Sequence, residues 1–361
     1  MINAEISGWG KCLPPAVLTN DDLATIMDTN DEWIRSRTGI GQRYISHVPN
    51  SQMATVAGQR ALACAGIDAS ELDMILIATC SPDTLLPNMA TEVQAALGAE
   101  CAAMDLNAAC SGFLYGLGLA TAQIRSGQMR NILIIGTERL SFFLNWTLRE
   151  SAVLFGDGAG AVVLSATESE QPAGVLSYAM HNDPSGSEHI KVANFGSNMD
   201  RFQTDSFNFH LQFNGREVFK RAIAGMGKMS IKVLEQAQLS SEQIDIVIPH
   251  QANERIIDTL IGKMGIPKEK AFINIEGYGN TSAATIPIAI TDALQQGRIK
   301  PGDTILSCAF GSGLTSAAAT IKWGQRITPL GESDAELPVC KQSALELIAS
   351  AVAYQKQHPI G

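Results

Sequence analysis

The chain has 361 residues, 45% hydrophobic and 17% charged, with a formal net charge of −10. That length suits two domains or one large one, with enough apolar side chains for a sizeable core. The acidic balance excludes a general nucleic-acid binder, which needs Lys and Arg clustered against phosphates.

The first ten residues hold neither a basic start nor an apolar run, so no secretory signal is expected. No stretch is long and apolar enough to span a bilayer. Seven cysteines, at 12, 64, 80, 101, 110, 308 and 340, are scattered without a Cys-x-x-Cys pair. They suggest neither a disulfide framework nor a metal site, and a reducing cytoplasm is the expected compartment.

In chain order, helices are predicted at about 53–65, 89–97, 113–125, 218–238, 256–264 and 284–296. Short β-branched strands are predicted at 74–79, 132–136, 159–164, 246–248, 304–308 and 317–321. This alternation is an α/β layered architecture. The helix at 113–125 is apolar nearly all round, so it is expected to lie buried between two sheets.

Two stretches echo two others. Residues 65–77 resemble 237–248, placing Asp73 opposite Asp245, and residues 127–135 resemble 297–306 with two residues extra in the later copy. A generic αβ connection could recur without ancestry. Two echoes in the same order, at nearly the same spacing, favour an internal duplication. The expected division is a first half at 1–170, a second at 171–324, and an extension at 325–361. The extension reads as a polar linker and a helix from about 341 to 356, of no legible role.

Cys110, in Ala109-Cys110-Ser111-Gly112, stands at the start of the apolar helix. A helix N-terminus stabilises a thiolate, and small neighbours admit a substrate. The same letters also describe an inert buried thiol. His250, in Pro249-His250-Gln251-Ala252-Asn253, follows directly on a strand, where sites form in α/β sheets. A lone histidine is otherwise commonly structural. Asn280 sits in Gly279-Asn280-Thr281-Ser282, a polar tip before a helix, which could equally be a plain turn. Phe310-Gly311-Ser312-Gly313-Leu314 could aim a backbone N–H at an oxyanion or simply form a tight turn. Phe155-Gly156-Asp157-Gly158-Ala159-Gly160 leads into a strand and so fails as a dinucleotide loop.

Taken together and in this order, these residues resemble the β-ketoacyl-[acyl-carrier-protein] synthase III family of the thiolase superfamily. Asp31-Glu32-Trp33-Ile34 with Arg37-Thr38-Gly39-Ile40 completes the set, and the resemblance covers about residues 3–323. It implies a duplicated thiolase-like fold with five layers, αβαβα, and a homodimer. It implies a decarboxylating condensation of an acyl-CoA primer with malonyl-acyl-carrier-protein, starting fatty-acid synthesis through an acyl-Cys intermediate. Acyl-CoA is then substrate and CoA product, and no separate cofactor or metal is expected.

By the same resemblance, Cys110, His250 and Asn280 form the catalytic set, and the backbone N–H groups of Cys110 and Ser312 form an oxyanion hole. CoA contacts fall to Trp33, Arg37, Arg149 and Asn253. Carrier-protein docking falls to Lys220, Gln251, Arg255 and Lys263, in line with a basic stripe of Arg216, Lys220, Lys228 and Lys232 at multiples of four. Asn280 favours decarboxylation, because a neutral donor is sufficient there and a carboxylate would repel the enolate. Ser312 stands where many members carry glycine. Leu86 stands where several carry a phenylalanine that closes the partner's acyl tunnel. Two other readings fit the same residues: a condensing enzyme or acyltransferase of a secondary-metabolite pathway, and a non-catalytic acyl-CoA or carrier-protein binding module.

Overall fold

The structure is a computed structural model that describes residues 2–168, 173–193, 195–197, 199, 202 and 209–359. The expected boundary at 170/171 lies outside the described residues.

Two sheets are built to one plan. The first contains β1 (Asn3–Cys12), β2 (Met74–Ala78), β3 (Ala102–Leu106), β4 (Asn131–Glu138) and β5 (Gly158–Thr167), in the order β1-β5-β4-β2-β3. The second contains β6 (Gly174–Asn182), β7 (Ile246–Pro249), β8 (Thr304–Gly311) and β9 (Thr315–Lys322), in the order β6-β9-β8-β7. In each sheet the first three strands pair antiparallel and the next pairs parallel. The first sheet adds β3 as a fifth, parallel edge strand.

The strands alternate their side chains between two buried faces. On β2, Leu76 points to one apolar cluster while Ile75 and Ile77 point to another. The first of these clusters lies between the sheets. It is filled by α4 (Gly112–Arg125), with Phe113, Leu117 and Ile124, and by α7 (Thr285–Gln295), with Ile286, Ile290 and Ala293. Outside the first sheet pack α2 (Asn50–Ala65) and α3 (Met89–Leu97). Outside the second pack α5 (Gly215–Ala237) and α6 (Glu254–Lys263). The order is therefore helix, sheet, helix, sheet, helix, as expected, with α4 buried in the middle. A separate helix, α1 (Asp31–Thr38), starts at an Asn30 cap that accepts from Trp33 N at 2.8 Å and ends at Gly39 in the left-handed region.

The predicted strands and helices are all present, their ends shifted by a few residues. Three strands of these two sheets were not anticipated: β1, β3 and β6. The extension differs more. It is not a loose appendage but a strap held at each step. Leu330 N donates to Cys64 O at 3.0 Å, Arg60 Nη2 donates to Ala335 O at 2.9 Å, and His47 Nε2 meets Pro338 O at 2.7 Å. The strap ends in α8 (Ala344–Gln357), capped by Ser343. Ala344, Ile348 and Val352 of α8 are buried in an apolar cluster with Leu18, Leu23 and Trp146. Near its end, Gln355 accepts from Trp146 N at 2.7 Å and donates to Leu144 O at 2.9 Å.

Candidate active site

Cys110 lies in the single tight turn Ala109–Ser111 that joins β3 to α4. Ala109 has a φ of 47°, an unusual conformation for a residue with a Cβ. The second half repeats the device. Ser282 has a φ of 49° and opens the turn Ser282–Ala284 that leads into α7. Left-handed non-glycine residues carry roughly 1–3 kcal/mol of strain and persist where packing over-determines them. Here both turns are clamped. A Cβ on Gly311 would lie 2.7 Å from Cys110 N, and one on Gly136 would lie 2.1 Å from Ala283 O. Only glycine allows either strand end to reach so close. Thr315 Oγ1 adds a bond to Ala108 O at 2.9 Å.

His250 follows β7, and its N–H donates to Cys308 O of β8 at 2.8 Å. Its Nδ1 lies 2.7 Å from Thr285 Oγ1, at the first turn of α7. The ring is buried, and loss of hydration lowers its pKa to about 3. It is a neutral imidazole at any working pH.

Asn280 is pinned by the first half. Its N–H donates to Leu154 O at 2.9 Å, and its C=O accepts from Gly156 N at 3.1 Å. The glycine-rich stretch at 155–160 therefore braces Asn280. Asp157 in the same stretch is fully buried and accepts from Ser46 N, Ser141 N and Ser141 Oγ, a structural clamp. The Asn280 side-chain oxygen accepts from Ser282 N at 2.8 Å, which fixes its Nδ2 as the donor left for a ligand.

Cys110, His250, Asn280 and Ser312 all line one cavity of about 1190 Å³. Much of its wall is aromatic or aliphatic, including Phe143, Phe155, Phe213 and Met226. Cys110 is partly accessible from this space. Burial nonetheless pushes its thiol pKa up to about 12, only partly opposed by the Ser282 hydroxyl.

The remaining predicted residues fall into three groups. Trp33, Arg37, Asn253, Lys220 and Arg255 lie around the same cavity. Arg149 stands outside its lining but stacks on the Trp33 ring, 4.5 Å from the centroid, and donates to Asp28 O. Asn253 caps α6 through Arg255 N and donates to Arg37 O at 3.0 Å, so it ties two of the expected contacts together. Lys263 is exposed at the opposite end of α6, away from the cavity. Leu86 is 86% exposed, next to Leu85 at 84%, and does not line this chain's own cavity.

Gln251 requires a correction. It is 1% exposed, and its amide donates to Pro249 O and Phe272 O while accepting from Asn274 N. A side chain with every group engaged inside the fold cannot present itself to a carrier protein. It latches the His250 loop instead.

The sequence reading missed Glu138, Cys80 and the partnering roles of Ser282 and Thr285. Glu138 ends β4 and is fully buried. It accepts from Ser81 Oγ at 2.5 Å, Thr79 Oγ1 at 3.1 Å, Cys80 N at 3.1 Å and Ser282 Oγ at 3.0 Å. Cys80 lines the cavity and directs its thiol at Glu138. The available signal was Glu138's place at the carboxyl end of a parallel strand. Among the described residues, no group of three His, Cys, Asp or Glu side chains is placed to hold a metal ion. No helix among them is long and apolar enough to cross a membrane.

A cysteine-bearing turn in one half and a histidine and an amide in the other line one cavity of a duplicated αβαβα fold, the architecture of a thiolase-type condensing enzyme. The description of 3-oxoacyl-[acyl-carrier-protein (ACP)] synthase III matches residues 104–184, its C-terminal part matches residues 234–323, and the thiolase N-terminal domain matches residues 34–143. Beta-ketoacyl-[acyl-carrier-protein] synthase III 2 of Vibrio cholerae is 57% identical over 98% of both chains. Beta-ketoacyl-[acyl-carrier-protein] synthase III 1 of Bacillus anthracis is 43% identical over 90% of this chain and 100% of its own. The crystal structure of 3-oxoacyl-[acyl-carrier-protein] synthase III from Aquifex aeolicus superposes with a TM-score of 0.83 at 44% identity, over 89% of this chain and 100% of that one. The chain belongs to the β-ketoacyl-[acyl-carrier-protein] synthase III family.

Proposed function

We propose that the chain condenses an acyl-CoA with malonyl-acyl-carrier-protein, losing carbon dioxide, to give a 3-ketoacyl-carrier protein, the step that initiates fatty-acid synthesis. The observation that carries this reading is the neutral donor pair, His250 and Asn280, held in the same cavity as the Cys110 thiol. Cys110 takes the acyl group as a thioester, dividing one hard reaction into two easier ones. The Thr285 hydroxyl bonds both Ser282 O and His250 Nδ1, and the reaction calls on the His250 tautomer that carries its proton on Nε2. That N–H and Asn280 Nδ2 hydrogen-bond the malonyl thioester oxygen as carbon dioxide departs and enolate charge develops. Neutral donors suit this step, because the departing carboxylate generates the carbanion without a base. The carbanion attacks the acyl-Cys carbon. The backbone N–H groups of Cys110 and Ser312 hold the tetrahedral oxyanion, one such donor being worth roughly 3 kcal/mol of barrier.

CoA enters past Trp33, Arg37, Arg149 and Asn253. The acidic carrier protein docks on the exposed cations Lys220 and Arg255 at the cavity rim, with Lys263 further along α6. The enzyme works in the cytoplasm as a homodimer. The edge strand β3, with Met104 exposed, and the neighbouring exposed Leu85 and Leu86 supply a surface for a second copy, where Leu86 closes the partner's acyl tunnel. Residues 1–170 and 171–324 act as the two catalytic halves.

Intact-protein mass measurement tests this reading, with wild type and Cys110→Ala exposed to acyl-CoAs of increasing length. The expected result is a Cys110-dependent adduct that malonyl-carrier protein discharges into a 3-ketoacyl product. An adduct that malonyl-carrier protein leaves in place would point to a transferase of another pathway. No adduct at all would point to a binding module.

A further inference from the structure

We propose that Lys11 is a positioning residue for the decarboxylation step, its ammonium group tying together the two loops that carry His250 and Asn280. The inference rests on the donor roles given to those two residues above.

Lys11 lies on β1, opposite Gly160 of β5. Its neighbour Gly10 faces outward, where an added Cβ would lie 2.7 Å from Ala57 O of α2, so Lys11 faces inward, towards α7. Gly160 lets α7 come close: a Cβ there would lie 2.7 Å from Ile288 N. The approach sets the Lys11 ammonium group against the Asp292 carboxylate, an ion pair that joins the two halves. Asp292 is 4% exposed and Lys11 21%, so the pair is largely withdrawn from water.

Both partners reach further. Lys11 Nζ also donates to the Tyr278 hydroxyl at 3.1 Å. Tyr278 ends the short helix Ile275–Tyr278, stacks on Tyr44 with ring centroids 5.9 Å apart, and is followed by Gly279 and then Asn280. The second oxygen of Asp292 accepts from Asn274 Nδ2 at 2.9 Å, at the start of the same short helix. Asn274 N in turn donates to Gln251 Oε1 at 3.1 Å, and the Gln251 amide latches the His250 loop. One cation therefore closes a ring that runs from Tyr278 along the short helix to Asn274, then to Asp292 and back. The ammonium group has a separate proton for each bond, and each carboxylate oxygen takes one donor.

The ring reaches His250 by two routes. Thr285 holds the imidazole at the first turn of α7, and Asp292 lies about two turns further along that helix. Lys11, Asp292, Tyr278 and Asn274 all stand outside the cavity lining, so their effect on the reaction passes through the residues they hold. The Cys110 turn is braced separately, by Gly311 and Thr315. Loss of Lys11 should therefore separate the half-reactions, displacing the donor pair and leaving the thiol in place.

The test compares Lys11→Met, Lys11→Arg, Tyr278→Phe and the double variant Lys11→Met with Asp292→Asn against wild type. Each is assayed for acylation of Cys110 by acetyl-CoA and octanoyl-CoA, and for kcat and KM in the decarboxylation of malonyl-carrier protein. A thermal melt establishes folding. Lys11→Met is expected to lower the decarboxylation kcat about tenfold, since small displacements of a reacting group are costly, with KM and acylation close to wild type. Tyr278→Phe cuts only the tie to the Asn280 loop and should lose less in the same step. Lys11→Arg keeps the charge and the reach and should restore most of kcat. Removing one partner strands a buried charge, so the double variant, which removes both charges, decides the matter if Lys11→Met fails to fold. Wild-type kcat in folded Lys11→Met or in the double variant, equal losses in both half-reactions, or Lys11→Arg no better than Lys11→Met would overturn the proposal. His250→Ala and Asn280→Ala run in parallel: if neither slows decarboxylation, the reading of those two donors fails instead.

Discussion

The two halves share a backbone and differ in what they place on it. Ala109 and Ser282 take the same rare conformation at the mouth of the same kind of central helix. In the first half the next residue is Cys110, and in the second it is Ala283. The flanking strands diverge at their ends as well. β4 ends in a buried carboxylate, Glu138, whereas β8 ends in Gly311, whose missing side chain lets the backbone close on Cys110. Duplication provided two equivalent positions. In the proposed reaction, divergence gave one the covalent chemistry and left the other to hold donors for a developing charge.

That contrast can be broken most severely by removing one half's chemistry at a time. Cys110→Ala should abolish the acyl adduct while leaving malonyl decarboxylation measurable. His250→Ala and Asn280→Ala should do the converse, forming the adduct while condensation falls by about 10²–10³-fold, the usual effect of removing a charge-stabilising donor. Loss of acylation in the His250 and Asn280 variants would show that the halves do not divide the work.

A smaller effect should appear in stability against pH. His250 is neutral when folded, with a pKa of about 3, while in the unfolded chain it titrates near 6.5. Between those values the unfolded state binds the extra proton. Stability should therefore fall as pH drops from 6.5 towards 3, by up to about 1.4 kcal/mol per pH unit from this group. Urea unfolding at pH 4 to 7 should show a shallower dependence in His250→Asn than in wild type. Equal slopes would mean that the ring is not held dry.

The smallest effect concerns the strap, which has no counterpart in the second half. Gln355→Ala removes both bonds to the 144–146 backbone, each worth about 1 kcal/mol. Those residues lead directly to Arg149 on Trp33. The KM for acyl-CoA should rise a few-fold, with kcat nearly unchanged. An unaltered KM would confine Gln355 to holding α8.

Much of this was legible in the sequence. β2 and β4 are buried on both faces, so they read as plain apolar runs. β1 was hidden by Gly8, Gly10 and its polar residues, and β3 by its brevity and exposed edge. Cys110, His250 and Asn280 stood out because each sits in a local motif. Glu138 did not, because the first acid after an apolar run normally marks the strand's exit to water. Only its contact with Ser282, far along the chain, gives it meaning. Gln251 misled for the opposite reason: its place beside His250 suggested access, while its amide is consumed inside the fold.

The strap also turns the end of the chain into a lever. It crosses α2, anchors through α8, and grips the segment that carries Arg149. A domain fused beyond α8, or a cut at 324, would tug on or release the proposed entry for CoA without touching a proposed reacting residue. The strap thereby gives an engineer a handle with which to tune entry separately from chemistry.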